Sequence, residues 1–299
     1  YRFPYPTRYS YLGALSSEMI WNRLDIQVNL LGTYIDEQVK YYQQGDSQRI
    51  FCPVLSASFQ PSNNKNFRIR AFYKESFRLP TFNDLYYTFI GNSSLKPEFT
   101  TQYDFGSTYI IEPKKFLQLA SFQADVYYNR VKDKIIAIPS TNLFRWTMIN
   151  LGEVDIRGAE INTNFVFKLP SQVFLDLGLS YTYQKAIDIT PNSSTYKNQI
   201  PYTPINSGTL TAAINWKNWQ MNYSFMYTGE RYSQKANIAV NYVQPWYTSD
   251  MAVNWSGKLA HFPVKIGAEV NNFFNQYYDV VLNFPMPGRN YRLNLSLNF

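Results

Sequence analysis

Cysteine and histidine are almost missing from this sequence: its 299 residues contain one of each, Cys52 and His261. A lone cysteine excludes an internal disulfide and any cysteine-based metal site. A zinc centre or a His-ligated haem likewise lacks its usual ligands. Charged residues make up only 16% of the chain, against about 25% in typical soluble domains. Apolar runs are short, and none approaches the ~20 residues that a spanning helix needs. The 13 glycines nowhere form G-x-G-x-x-G, so the phosphate-cradling loop of nucleotide enzymes is not there. A Ser–His–Asp arrangement would have to recruit His261, and no catalytic grouping stands out. Neither enzymatic activity nor a cofactor is expected.

Aromatics are abundant instead: 26 Tyr, 22 Phe and 6 Trp make 18% of the chain. Few charges, many rings and a mean hydropathy of −0.34 suit a membrane barrel with one apolar face and aromatic girdles. They also suit a Tyr-rich secreted β-protein. The net charge of +7 fits a solvated basic rim, contact with anionic lipid headgroups, or an anionic ligand. No Lys/Arg run points to nucleic acid.

Alternation separates the two classes. Val173, Leu175, Leu177, Leu179, Tyr181 and Tyr183 oppose Asp176, Gly178, Ser180, Thr182 and Gln184. Trp219, Met221, Tyr223, Phe225 and Tyr227 oppose Gln220, Asn222, Ser224 and Thr228, and Tyr291–Phe299 repeats the pattern at the end of the chain. Successive strand side chains point to opposite faces, so each run is oily on one side and wet on the other. The pattern predicts an all-β chain of about 13 antiparallel strands, near 8–20, 24–36, 50–60, 66–78, 98–111, 117–134, 149–168, 172–188, 204–217, 219–232, 246–256, 263–275 and 290–299. Many are long enough to cross a bilayer at a tilt. The connections alternate between short and long, which is the outer-membrane pattern of tight periplasmic turns and longer extracellular loops.

Parity sharpens this. If Phe299 ends at the periplasmic face, strand 8–20 also runs inward and Tyr1 lies outside the cell. A complete single-chain bacterial barrel has an even strand number with both ends in the periplasm. The opening Tyr1–Thr7 also lacks a leader-like pattern. The expectation is therefore the C-terminal part of a larger transmembrane barrel. One strand breaks phase: Glu153, Asp155 and Arg157 share one parity, Glu160, Asn162 and Asn164 the other. Either a β-bulge sits at Gly158, or 153–157 stands above the membrane, free of alternation.

The segment 75–98, E-S-F-R-L-P-T-F-N-D-L-Y-Y-T-F-I-G-N-S-S-L-K-P-E, resembles the signature of TonB-dependent outer-membrane receptors. Phe77, Arg78, Pro80, Leu85, Tyr86, Asn92, Leu95, Lys96, Pro97 and Glu98 occupy its places. The stretches 156–160 (I-R-G-A-E), 270–278 (V-N-N-F-F-N-Q-Y-Y) and 287–291 (P-G-R-N-Y) followed by the last strand are similar to further elements of that family. The resemblance implies a barrel of about 22 strands around an N-terminal plug, with these 13 as its last. It also implies a TonB-type energy-transducing partner, a location in the bacterial outer membrane among lipid and lipopolysaccharide, and an imported small-molecule complex such as a ferric siderophore or cobalamin. A second chain carrying the rest of the barrel is a further expected partner. Haem is disfavoured, because the family's haem receptors use a loop histidine and His261 falls in a predicted periplasmic turn. The competing functions are a passive porin-like channel and a soluble β-sandwich adhesin.

Lys96-Pro97-Glu98 is expected to mark a loop re-entering a strand, since Pro suits a strand start. Arg78 and Arg289 are expected to pack or pair at the rim. Arg68, Arg70, Lys74, Asp104, Asp125, Glu160, Asp176, Lys265, Glu269 and Arg292 should face the lumen and dock a plug. Among the loop aromatics (Tyr41, Tyr42, Tyr86, Tyr87, Phe89, Phe144, Trp146, Tyr196, Tyr202, Tyr242, Tyr277 and Tyr278), those in loop middles are candidates to grip a bulky ligand. They are Tyr87, Phe89, Trp146 and Tyr242, since aromatics offer contact area at low entropic cost.

Overall fold

The computed structural model describes residues 4–41, 47–63, 66–87, 91–139, 146–259 and 262–297. Phe89, His261 and Phe299 lie outside these residues. The chain runs β1 (Thr7–Trp21), β2 (Leu24–Gln38), β3 (Gln48–Phe59), β4 (Phe67–Arg78), α1 (Phe82–Tyr86), β5 (Glu98–Ile111), β6 (Leu117–Lys132), β7 (Ile135–Pro139), β8 (Trp146–Asn150), β9 (Val154–Leu169), β10 (Val173–Asp188), β11 (Asn206–Trp216), β12 (Trp219–Thr228), β13 (Arg231–Tyr232), β14 (Tyr242–Val243), β15 (Trp246–Leu259), β16 (Phe262–Asn271), β17 (Asp279–Val281), β18 (Phe284–Pro285) and β19 (Asn290–Leu297). Thirteen of these form one antiparallel sheet in the order β1-β2-β3-β4-β5-β6-β9-β10-β11-β12-β15-β16-β19. Each sheet strand pairs with its nearest sheet neighbours in the chain, as an up-and-down barrel wall requires. β1 and β19 are its two edges.

The short connections are tight: Trp21 pairs with Leu24 and Trp216 with Trp219. Asn22 and Lys217 take φ near 54° and 52° there, the left-handed backbone that two-residue hairpins favour. The long connections all fall at the opposite end. Burial follows the same polarity. The outer face shows Leu179, Tyr181, Tyr183, Leu293 and Leu295 to the surroundings. The three packed clusters, built on Val131/Leu151/Val154/Ala186/Ile200, Ile35/Ile50/Cys52 and Leu85/Leu95/Ile135, lie toward the long-loop end. Apolar residues facing outward along the wall are what lipid rewards and water would penalise.

Three boundaries depart from the sequence pattern. The run 146–150 does not continue into β9; it pairs with 135–139 as a hairpin inside the long loop. Gly152, at φ 90°, turns the chain between the two. Residues 231–232 leave β12 and pair with β14. β16 stops at Asn271, where Asn272 turns at φ 51°.

Of the two readings of the phase break, the bulge at Gly158 is absent. Register runs unbroken through Arg157, Gly158 and Ala159 against both β10 and β6. Gly158 serves a different purpose: a Cβ there would strike the ring of Tyr127 on β6. Asp155 and Arg157 keep the outer-face phase and simply stand beyond the apolar band, which was the other reading.

Candidate functional site

The family-like segment 75–98 folds into a brace. Thr81 and Asp84 cap α1 reciprocally: Asp84 N–H donates to Thr81 Oγ1 at 3.1 Å and Thr81 N–H to Asp84 Oδ2 at 2.9 Å. This satisfies donors a helix start leaves open. Leu85 and Leu95 then pack on Ile135. Asn92 donates to Met148 O at 3.0 Å, Asn150 donates to Lys96 O and Asp133 O, and Ile135 N–H donates to buried Glu98 at 2.9 Å. Lys96-Pro97-Glu98 thus marks the re-entry to β5, as expected, and ties down the β7–β8 hairpin that carries Trp146. Arg78 pairs with Asp84 at 3.4 Å and Arg289 lies over Phe273, so both are rim contacts.

The second family-like stretch braces the last long loop. Buried Asn272 donates to Gln276 O and Pro287 O, while its Oδ1 accepts from Gln276 N–H. Asn275 Oδ1 accepts from Arg289 N–H at 2.8 Å. The chain then delivers Tyr278 onto Trp246, with ring centroids 4.6 Å apart and stacked.

Arg231 joins two loops. Its side chain is 3% exposed and donates to Gly229 O and Gln244 O in its own loop, and to Asp279 O (2.8 Å) and Val280 O (2.9 Å) across the gap. Among the described residues no carboxylate pairs with it. Burial pushes the Arg231 guanidinium below its usual range, yet it remains charged at neutral pH. Burial also pushes the Tyr202 hydroxyl up, so it stays protonated.

These braces enclose a cavity of about 440 Å³ at the mouth of the sheet's inner face, lined by Ala137, Trp146, Tyr202, Pro204, Thr228, Arg231, Trp246, Val280 and Val281. Four long loops contribute. Trp146 and Tyr202 face each other at 6.0 Å. Among the described residues nothing accepts a hydrogen bond from the buried Nε1–H of Trp246, and an unmade buried donor is costly. Apolar walls, one unpaired N–H and a buried cation suit a bulky solute with an acceptor or anionic group. Among the described residues no cluster of three or more His, Cys, Asp or Glu could hold a metal.

Of the four aromatics picked from sequence, Trp146 lines this cavity. Tyr87 is exposed just after α1, and Tyr242 lies on the β13–β14 hairpin against Tyr232 at 5.9 Å; neither lines it. Phe89 falls outside the described residues. Arg231, Trp246, Val280 and Val281 were not anticipated. Arg231 hid in an apparent continuation of β12, which Gly229 could have ended.

Below the cavity the inner wall is polar. The charges from Arg68 to Arg292 named above sit on this face by register. Arg70 reaches Asp125 at 2.7 Å across the intervening β5, passing over Gly106, where a Cβ would collide with Asp125. A concavity of about 490 Å³ lies between Asn164, Asp176, Thr211, Ser224, Asp250 and Glu269. Polar lining on the inside and an apolar band outside is the outer-membrane barrel arrangement.

Comparison with known proteins agrees. The family described as TonB dependent receptor-like, beta-barrel matches residues 2–273. The vitamin B12 transporter BtuB of Photobacterium profundum is 24% identical over 226 residues, covering 75% of this chain and 34% of that protein. The BtuB of Vibrio vulnificus is 33% identical over 89 residues, covering 30% and 14%. Among solved structures, BauA, the ferric preacinetobactin receptor from Acinetobacter baumannii, superposes with a TM-score of 0.75 at 15% identity, over 98% of this chain and 43% of that one. The ferric citrate transporter FecA gives 0.74 at 14%, over 98% and 45%. The chain thus spans about a third of its first curated relative and under half of these structures. It is a strand-crossing protein of the bacterial outer membrane, and it belongs to the TonB-dependent receptor β-barrel family.

Proposed function

We propose that this chain forms the extracellular mouth and lumen wall of a receptor that imports a scarce, bulky nutrient complex of the ferric siderophore or cobalamin type. A TonB-type partner supplies the energy, acting through a plug and further wall strands beyond these 299 residues. The observation that carries the reading is the aromatic cavity walled by four loops directly above a polar lumen. Trp146 and Trp246 grip the ligand, Tyr87 and Tyr242 meet it at the rim, and the lumen charges dock the plug. The names of the relatives, transporters of vitamin B12 and ferric complexes, support the substrate class.

The test is titration of the intact outer-membrane protein with cobalamin and a ferric siderophore panel, read by tryptophan quenching. One member should quench, and Trp146→Ala with Trp246→Ala should abolish it. A passive channel is the competing reading, since a polar lumen serves both. A large steady conductance of the purified intact protein in planar bilayers would defeat the transporter reading.

A further inference from the structure

Tyr202 stands in the wall of the mouth cavity in a way that packing alone does not reward. Its backbone takes φ 54°, the left-handed region that a bulky aromatic seldom enters. The loop holds it there from both sides. Tyr202 N–H donates to Tyr232 O at 2.7 Å, and Ile200 N–H to Ala186 O at 3.1 Å. Ile200 is buried with Leu151, Val154 and Ala186. Asn237 brackets Gln199, accepting from its N–H at 2.6 Å and donating to its carbonyl at 3.1 Å. The Gln199 side chain in turn donates to Thr203 O.

The side chain gains little from the fold in exchange. Its ring meets Trp146 at 6.0 Å, a contact that a phenylalanine would also make. Among the described residues the hydrogen of its buried hydroxyl finds no acceptor, and neither does the Nε1–H of Trp246. The cavity wall therefore carries two unmade donors, one from each of two loops. The Tyr278 stack keeps the Trp246 indole in place. Water reaches neither atom, so an acceptor arrives only on a group that enters the cavity and moves the rings aside. No carboxylate is among the lining residues, and Arg231 adds a buried positive charge. A strained backbone persists where the surroundings over-determine it, and such sites gather at ligand clamps.

We propose that Tyr202 and Trp246 are specificity-determining residues for the imported solute, their O–H and N–H together taking the oxygens of one carboxylate. The inference rests on the cavity being the solute's site.

The intact outer-membrane protein in detergent is titrated with 4-fluorobenzoate and with 4-fluorobenzylammonium, each read by fluorine NMR line broadening. The two share a ring; one ends in acceptors, the other in donors. The benzoate should bind saturably and the benzylammonium should not. Tyr202→Phe should weaken the benzoate about tenfold, as a lost charge-assisted hydrogen bond would. Trp246→Phe, which keeps a ring against Tyr278, should do the same. Both variants leave Arg231 in place, so the loss is not that of its charge. Tyr202→Phe removes no acceptor or donor that the protein itself uses, so heat-modified gel mobility should report unfolding at the parent's temperature or above. Tyr196→Phe, an exposed loop hydroxyl outside the cavity, should change neither readout. Absent benzoate binding, equal binding of the benzylammonium, unchanged affinity in either variant, or a lowered unfolding temperature for Tyr202→Phe would each overturn the inference. Failure of every cobalamin and siderophore to bind, with the benzoate still bound by the parent and lost in the variants, would defeat the import reading and leave the two donors assigned.

Discussion

Arg231→Met is the sharpest perturbation available at the mouth. The side chain keeps its length and loses its donors. Two of its four acceptors, Asp279 O and Val280 O at 2.8 and 2.9 Å, belong to the loop between β16 and β19. The other two bonds are longer, at 3.5 and 3.3 Å, and stay within its own loop. Hydrogen bonds to charged groups contribute about 1.5–3 kcal/mol each, so the inter-loop pair holds roughly 3–6 kcal/mol gross. Burying the guanidinium costs part of that, which is why its pKa falls. A net loss of about 2–3 kcal/mol in loop docking remains, or roughly 30- to 150-fold in the closed-to-open ratio. Hydrogen exchange of the 279–281 segment should accelerate by that factor, while amides in the middle of β12 keep their protection. Arg231→Lys should recover part of the effect, because an ammonium reaches fewer of the four carbonyls. If the 279–281 amides exchange in Arg231→Met as they do in the parent, the loops are not held by this side chain and the cavity needs another explanation.

Further outcomes follow from the same contacts. Leu179→Arg, outward and near the middle of the apolar band, should cost about 2–4 kcal/mol in refolding into vesicles, while Ser180→Arg on the inner face costs little; equal costs would reverse the assignment of faces. Gly106→Ala forces Asp125 away from Arg70 and should destabilise by about 1–3 kcal/mol, as overpacking does; urea unfolding in vesicles reads it. Leu95→Ala opens the Leu85/Leu95/Ile135 cluster and should cost about 2–5 kcal/mol, seen as faster proteolysis between 91 and 97 without change in the wall. Thr81→Ala removes one arm of the α1 cap at about 0.5–2 kcal/mol, read as faster exchange of the Asp84 amide.

The wall was legible because lipid imposes the same rule at every outward position it touches. Leu175 through Tyr183 must stay apolar on alternate positions, and they do. Ends were less legible because nothing in the pattern stops a strand when its neighbours still alternate. Trp146–Asn150 reads smoothly into β9, and only Gly152 with its φ of 90° breaks the run. Gly158 looked like a bulge because glycine serves both bulges and close approaches. The ring that explains it, Tyr127, sits on a different strand, β6. Arg231 was illegible for the same reason: its key acceptors are 48 and 49 residues away. Trp146 was found because an aromatic in a loop middle stands out by itself. Trp246 was passed over because the alternation places it at the start of a strand rather than in a loop.

The residues that make the family recognisable are spent on scaffolding. Asn92, Glu98 and Asn272 each satisfy backbone groups, and Leu85 and Leu95 fill a small core. None of these lines the cavity. Its walls come from Trp146, Tyr202, Arg231, Trp246, Val280 and Val281, which belong to no family-like stretch. Tyr278 is where the two sets meet: it belongs to the braced stretch, and it stacks on Trp246. On the proposed reading of the cavity as the ligand site, wall residues can be exchanged while the braces hold the loops in place. That division explains why four ordered sequence matches identify the family and leave the ligand open. On that proposed reading, the residues that would name the ligand are those held by the motifs rather than the motifs themselves.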